Sequence, residues 1–300
     1  MVHLKGKHPC APAILLFAVC LVAAQSLSAL GWRASFLPSS ATALALAGGG
    51  RALPGNMTLS LVSPAHLWGA QSEELEFGYL RMFGDLAGFG VRWHRYRNGR
   101  PVQLVLRSQV EDELELRGPV PTAEPLGLFS ARLLSVTYLW GRRLGATRLG
   151  FGLTAAYQRI FEYSGRGFWV SAGWQGELLP WLRWGLSVDN LGVGESLVAG
   201  GDPGSLFSAG AGLAVKTPLW NSYVSLDLGW EVTRRPVPTT AWHVPGDVLQ
   251  LNLSVRWEGE DPLLAAGFQW KYRRWAVAYS YAYQSRVLGL PHMITLGRRL

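Results

Sequence analysis

From Glu74 onward, apolar residues alternate with small or polar ones. In 147–158 the apolar set is Leu149, Phe151, Leu153, Ala155 and Tyr157, with Arg148, Gly150, Gly152, Thr154 and Gln158 between them. The same period of two runs through 166–178, where Phe168, Val170, Ala172 and Trp174 oppose Ser171, Gly173, Gln175 and Glu177, and it recurs in 182–189, 249–257 and 275–283. Such a period places successive side chains on opposite faces of a β-strand. A soluble sandwich also alternates, but its outward face is rich in Lys, Glu and Asp. Here the second face is mostly Gly, Ala, Ser, Thr and Gln, which suits the crowded inside of a closed barrel whose apolar face looks outward to lipid.

The pattern predicts an all-β, transmembrane, antiparallel β-barrel. Its strands are expected at 74–80, 86–94, 102–109, 112–118, 131–140, 147–158, 166–178, 181–190, 206–216, 222–232, 248–258, 262–271, 274–284 and 290–300. That makes about 14, with 12 to 14 as the range, because 112–118 is charged and without it the count is an odd thirteen. Single-chain bacterial barrels normally have even counts with both ends on one side. Turns at 179–180, 217–221 and 258–261 are expected to share a side, with 191–205 and 233–246 as long loops on the other. The turn at Tyr272-Arg273 then comes too early, which points to a miscounted strand near the C-terminus. After the first thirty residues no apolar run has the length of a membrane helix, so a closed barrel is the remaining way to span a bilayer.

The start of the chain reads as an export signal over 1–29, with Lys5, Lys7 and His8 ahead of an apolar 11–24 and cleavage after Ala24 or Ala29. A retained helical anchor is the alternative, since no charge falls between His8 and Arg33. A plug-like segment then covers 30–72 and the barrel 73–300. Cys10 and Cys20 leave with the signal, which excludes disulfides and thiolate chemistry from the mature chain. Charge changes the picture little: 24 of the 28 basic residues are arginine, and the excess over acids is spread along the chain, without the concentrated face that nucleic acid needs. Trp93, Trp140, Trp169, Trp181, Trp184, Trp230, Trp257, Trp270 and Trp275 fall near strand ends, as an interfacial girdle would, or else are ordinary core aromatics.

Candidate chemistry is sparse. The histidines show no metal-ligand spacing, no cofactor motif is present, and Gly192-Val193-Gly194-Glu195 follows a strand and precedes no helix, so it reads as a loop. A hydrolase pairing of Ser280 or Ser285 with His292 lacks an orienting acid and an oxyanion motif. Arg142-Arg143, Arg234-Arg235, Arg273-Arg274 and Arg298-Arg299 lie at strand ends or turns, where they either pair with lipid phosphates or are simply solvated. Arg148, Arg166, Arg183 and Arg256, with Glu177 and Asp189, are expected in the lumen as a charge network that anchors the plug.

Residues 35–69, SFLPSSATALALAGGGRALPGNMTLSLVSPAHLWG, are rich in Ala, Gly and Ser, contain no acid, and lack the alternation. They resemble the N-terminal segment of PorV/PorQ-type outer-membrane barrels, relatives of the FadL hydrophobic-compound channels, in which an Asn-Pro-Ala motif closes a plug-like entry segment. Ser63, Pro64 and Ala65 occupy that motif, with serine in place of asparagine. The likeness continues in PLGLFSARLLSVTYLWGRRL, RLGFGLTAAYQRIFEYSGRGFWVSAGW, LRWGLSVDNLG and the closing WAVAYSYAYQSRVLGLPHMITLGRRL, though Leu300 replaces the aromatic that commonly ends such barrels. The resemblance implies a plugged, non-enzymatic barrel in the bacterial outer membrane, in contact with lipid or lipopolysaccharide. It implies passage of hydrophobic or small amphiphilic compounds or, as the alternative, docking of secretion-system proteins on the loops at 119–130, 191–205 and 233–246. An outer-membrane lipid-modifying enzyme is the weaker alternative.

Overall fold

The computed structural model describes residues 37–69, 72–82, 86–117, 124–195, 207–231, 236–258, 261–283 and 291–300. The export signal and its cleavage sites lie outside the described residues, as do Ser285 and the Arg234-Arg235 pair. The strands are β1 Glu74–Arg81, β2 Ala87–Arg97, β3 Arg100–Leu116, β4 Gly127–Leu144, β5 Thr147–Ile160, β6 Tyr163–Leu179 and β7 Leu182–Gly194. They continue as β8 Ser208–Lys216, β9 Tyr223–Glu231, β10 Val237–Val244, β11 Leu249–Glu258, β12 Asp261–Tyr272, β13 Trp275–Tyr283 and β14 His292–Arg299. Each pairs antiparallel with its sequence neighbours, and β14 closes on β1 with Glu74 opposite Arg299 and Arg81 opposite His292. Closure leaves no unpaired strand edge, the condition for a sheet to cross a bilayer.

Burial follows the two-residue period. Leu226 and Leu228 are 59% and 49% exposed while Asp227 between them is fully buried. Leucine, valine and aromatic side chains cover the outside all round, a surface suited to hydrocarbon and not to water. Among the described residues no helix is long and apolar enough to cross a membrane.

Fourteen strands are present, but the expected set reaches that number by two errors that cancel. The segments 102–109 and 112–118 are one strand, β3, bent at a bulge between Glu111 and Leu114 where Glu113 takes φ +60°. The charges there mark a strand that leaves the membrane, and the bulge absorbs the register shift. The expected loop 233–246 contains strand β10, whose Thr239, Ala241 and His243 face the lumen and are buried. Pro238 stands second in β10, opposite Leu228, near the strand start where a missing N–H is tolerated.

Restoring β10 resolves the parity. The barrel begins and ends on the same rim, and the turns at 98–99, 145–146, 180–181 and 273–274 lie on it. The end of β11 and the start of β12 lie on the opposite rim, so they do not share a side with the turns after β6 and β8 as expected. Short turns on the rim that holds both barrel ends identify that rim as periplasmic.

The expected tryptophan girdle is present with one correction. Trp93, Trp140, Trp181, Trp184, Trp270 and Trp275 gather outward-facing at the periplasmic rim, and Trp230 and Trp257 stand at the opposite one. Trp169 instead points into the lumen, 1% exposed, because it shares the inward parity of Ser171 and Gly173.

Candidate functional site

The segment 37–69 fills the lumen. Ser40 caps the short helix α1, Ala41–Ala45: its Oγ accepts from the Ala43 amide at 3.1 Å and donates to the Thr58 carbonyl at 2.9 Å. The alanines of α1 let it lie against the equally small inner face of β12 and β13, where Ala41 and Leu44 pack with Ala265, Ala278, Ala282 and Met293. The Ala41 amide donates to Thr295 Oγ1 at 2.9 Å, and Ser254 Oγ donates to the Ala45 carbonyl at 2.8 Å.

After α1 the chain turns through Gly48 and Gly50, at φ +76° and +90°, a conformation open chiefly to glycine. This turn aims two successive amides at β9. The Gly50 amide donates to Asp227 Oδ2 and the Arg51 amide to Asp227 Oδ1, each at 2.8 Å. The Arg51 guanidinium reaches Ser187 Oγ through Nε at 2.9 Å and stands 4.0 Å from Asp227 Oδ1. A carboxylate held by two backbone N–H groups is fully served without water.

His66 backs this latch. Its Nε2–H donates to the Gly50 carbonyl at 3.1 Å, and Gln175 donates to the Arg51 carbonyl. Burial lowers the His66 imidazole to about 3, and Arg183, Arg51 and Arg148 lower it further against the opposing effect of the Gly50 bond, so the ring is neutral. Elsewhere Ser60 bonds Gln103, Gln103 donates to the Met57 carbonyl at 3.4 Å, Trp68 Nε1 donates to the Leu149 carbonyl at 3.3 Å, and Arg92, paired with Glu76, donates to Ser39 Oγ at 2.9 Å. The plug is tied to the wall on all sides of the lumen.

Glycines in the wall set how close the plug lies. Gly150 and Gly173 are cross-strand neighbours, and a Cβ on either would run into the stretch Ser63, Pro64 and Ala65. Gly185 and Gly212 are likewise neighbours, and a Cβ there would meet the Arg51 carbonyl or the Asp227 carboxylate. The plug backbone therefore rests directly on the backbone of β5–β8.

Cavities remain on both sides of the plug. On the outer side are two, of about 100 and 130 Å³, which share Gly48, Leu61, Val62, Asp189 and Asn190 in their linings. On the periplasmic side a larger one of about 520 Å³ lies under Met57 and Thr58, between Glu74, Gln250 and Lys271.

The expected charge network divides. Glu177 and Arg183 pair at 2.5 Å across the β6–β7 hairpin at the periplasmic rim, with half-buried Arg148 nearby on β5. Arg256 donates to the Ala47 carbonyl at 3.4 Å, so it does contact the plug, and it lines the 130 Å³ cavity with buried Asp189. Arg166 sits exposed at the opposite end of β6 from Glu177, its amide donating to Glu195 Oε2 at 2.9 Å. Ser63 precedes and Pro64 and Ala65 open a 3-10 turn, Pro64–Gly69, and Ser63 Oγ, fully buried, has no hydrogen-bond partner among the described residues. Ser280 and His292 face opposite sides of the wall: Ser280 is buried in the lumen, while His292 bonds Tyr279 at 2.7 Å on the outside. Among the described residues no metal-ligand cluster is present.

The latch pair was not among the expected site residues. Its signal is faint but real: Arg51 is the one arginine in the acid-free stretch 35–69, and Asp227 is an acid in the middle of an otherwise small inner strand face.

No family model matches the chain, and no curated protein matches it. Solved structures do. The CymD monoaromatic hydrocarbon channel is 11% identical with a TM-score of 0.65, covering 88% of this chain and 98% of its own. The P. putida toluene transporter TodX is 8% identical with a TM-score of 0.66, at 87% and 98% coverage. A Pseudomonas aeruginosa FadL homologue is 9% identical with a TM-score of 0.54, at 86% and 97%. The likeness is one of fold: the chain is a closed barrel of FadL-like type, an architecture of bacterial outer-membrane proteins.

Proposed function

We propose that the protein passes hydrophobic or small amphiphilic compounds across the outer membrane, with the segment 37–69 as its gate. The observation that carries this reading is a plug held by polar bonds between cavities on its two faces. A purely structural barrel needs neither cavities nor a detachable obstruction. The inner wall above α1 supports an amphiphilic passenger, since Leu80, Ala282 and Met293 form an apolar side and Thr137, Thr154, Ser171 and Asp189 a polar one. The hydrocarbon channels that share the fold agree with it, although fold alone does not assign a passenger. A PorV/PorQ-type identity belongs to the same proposal and rests on the seat of Ser63, Pro64 and Ala65 against Gly150 and Gly173.

The test is uptake of toluene and of a medium-chain fatty acid into proteoliposomes holding the intact barrel or one lacking 37–69. Faster uptake through the deleted form is expected. Equal rates, both no greater than in empty liposomes, would overturn the proposal. Recovery of a secretion partner from native membranes beside that result would favour docking, for which 191–205 now contributes its part beyond β7 and 233–246 only the residues flanking β10.

A further inference from the structure

Many of the exposed arginines that look scattered along the chain are brought by the antiparallel strand order to one rim. The periplasmic turns and strand ends carry Arg97 and Arg100, Arg142 and Arg143, Arg273 and Arg274, and Arg298 and Arg299, all exposed. The opposite rim carries the acids Glu111, Asp112, Glu115, Glu124, Glu162 and Glu195 with Arg117, Arg132, Arg159 and Arg166 among them, while the basic rim holds Glu73, Glu74, Glu177 and Asp247. Pairing differs as well. On the acidic rim Arg117 meets Glu115 at 2.7 Å and Arg132 stands 3.9 Å from Asp112. On the basic rim Arg299 stands 3.5 Å from Glu74, whereas among the described residues Arg97, Arg100, Arg142, Arg273, Arg274 and Arg298 have no carboxylate partner.

These guanidinium groups are also placed at a particular height. Arg298 lies over the Trp275 ring at 5.2 Å, Arg273 over the Tyr272 ring at 5.3 Å, and Arg95 over the Trp93 ring at 4.8 Å. Tyr272 and Trp275 face outward, about half exposed, beside Trp270 in the periplasmic girdle. Such rings sit at the boundary between acyl chains and headgroups. An arginine stacked on one is therefore outside the barrel wall at phosphate level, with its planar donors still free.

We propose that this rim binds the phosphate of anionic phospholipids in the periplasmic leaflet, with its principal site at the β12–β14 ends, where Arg298 lies over Trp275, Arg273 lies over Tyr272 and Arg274 is exposed in the turn between them. A soluble acidic partner would approach along the barrel axis, not from the side on which these rings lie. The site would fix the depth and tilt of the barrel through charge-assisted, two-pronged bonds to phosphate oxygens. Arg273, Arg274, Trp275 and Arg298 also line the 520 Å³ periplasmic cavity, but none of them touches the latch, so loss of lipid preference and loss of gating are separately readable.

Native mass spectrometry of the whole mature barrel in detergent tests it, with phosphatidylglycerol, phosphatidylcholine of the same acyl chains, and lipid A as three arms. Retention of phosphatidylglycerol at about tenfold lower concentration than phosphatidylcholine is expected. The preference should vanish in R273Q/R274Q/R298Q, weaken in R298Q alone, and persist in R132Q/R159Q on the opposite rim, with heat-modifiable gel mobility confirming a folded barrel in each. Equal retention of the two phospholipids by the parent would overturn the proposal. So would an unchanged preference in the triple variant, or a preference for lipid A that R132Q/R159Q removes.

Discussion

Asp227 and Arg51, far apart in the chain, meet through the backbone: the Arg51 amide donates to Asp227 Oδ1 at 2.8 Å. The Gly50 amide fills the other oxygen at the same distance, and the guanidinium is left to Ser187. Removal of the carboxylate in D227A strands two amide donors and a buried cation, a change of about 3–5 kcal/mol for a buried pair. The barrel ladders do not include these bonds, so the loss falls on the docking of the plug. Trypsin cleavage after Arg51, followed by mass spectrometry, is expected to accelerate at least about tenfold in D227A. Cleavage as slow as in the parent would show that the latch does not hold the plug.

A second prediction concerns the glycine seat. G150A places a methyl group on the Pro64 carbonyl and G185A places one on the Arg51 carbonyl, both backbone atoms that cannot rotate away. Overpacking of this kind costs about 1–3 kcal/mol. Each variant should release the plug to proteolysis while keeping heat-modifiable mobility. G127A, whose Cβ would meet nothing within 4 Å, is the matched control and should behave as the parent. Loss of the folded barrel in G150A would mean that the plug and the wall fold as one unit.

The wall was largely legible in the sequence because lipid outside and a plug inside impose one strict period on every strand. It failed where a second requirement overrode that period. Glu111, Asp112 and Glu113 interrupt β3 because the strand continues into water, and Pro238 disguises the start of β10. Glu177 and Arg183 were readable as partners since one hairpin brings them together. Asp227 and Arg51 were not, because local periodicity states which face a residue takes but not which plug atom it meets there. Arg166 shares the even parity of outward Phe168 and Val170, so the period itself puts it outside the lumen, and its place among the inward charges ran against the alternation.

His66 supplies a pH dependence. Its imidazole titrates at about 3 in the docked plug, against 6.5 when free, chiefly because it is buried. Above 6.5 both states are neutral and docking is at full strength. As pH falls from 6.5 toward 3 only the released plug takes up the proton, so docking weakens steadily across that window. In planar bilayers, openings of the parent should be more frequent at pH 4.5 than at pH 7.5, working values on either side of about 6.5. H66Q keeps a donor for the Gly50 carbonyl and cannot take a proton, so its response should be flatter. An identical pH response in H66Q would assign the effect to another group.

Strand β10 makes the sharpest topological prediction, since it divides a stretch that the sequence presents as one loop. β9 and β10 pair antiparallel from Val237 opposite Gly229 to His243 opposite Tyr223, which puts Pro236 and Asp247 at opposite rims of the wall. An epitope inserted beside Pro236 should bind antibody on intact cells, whereas the same epitope beside Asp247 should bind only after the outer membrane is permeabilised. A single loop would expose both. The two insertions also fix the orientation of the molecule: a reversed result, with only the Asp247 epitope exposed, would keep β10 as a crossing strand but move the basic rim to the cell surface, where the phosphates are those of lipopolysaccharide.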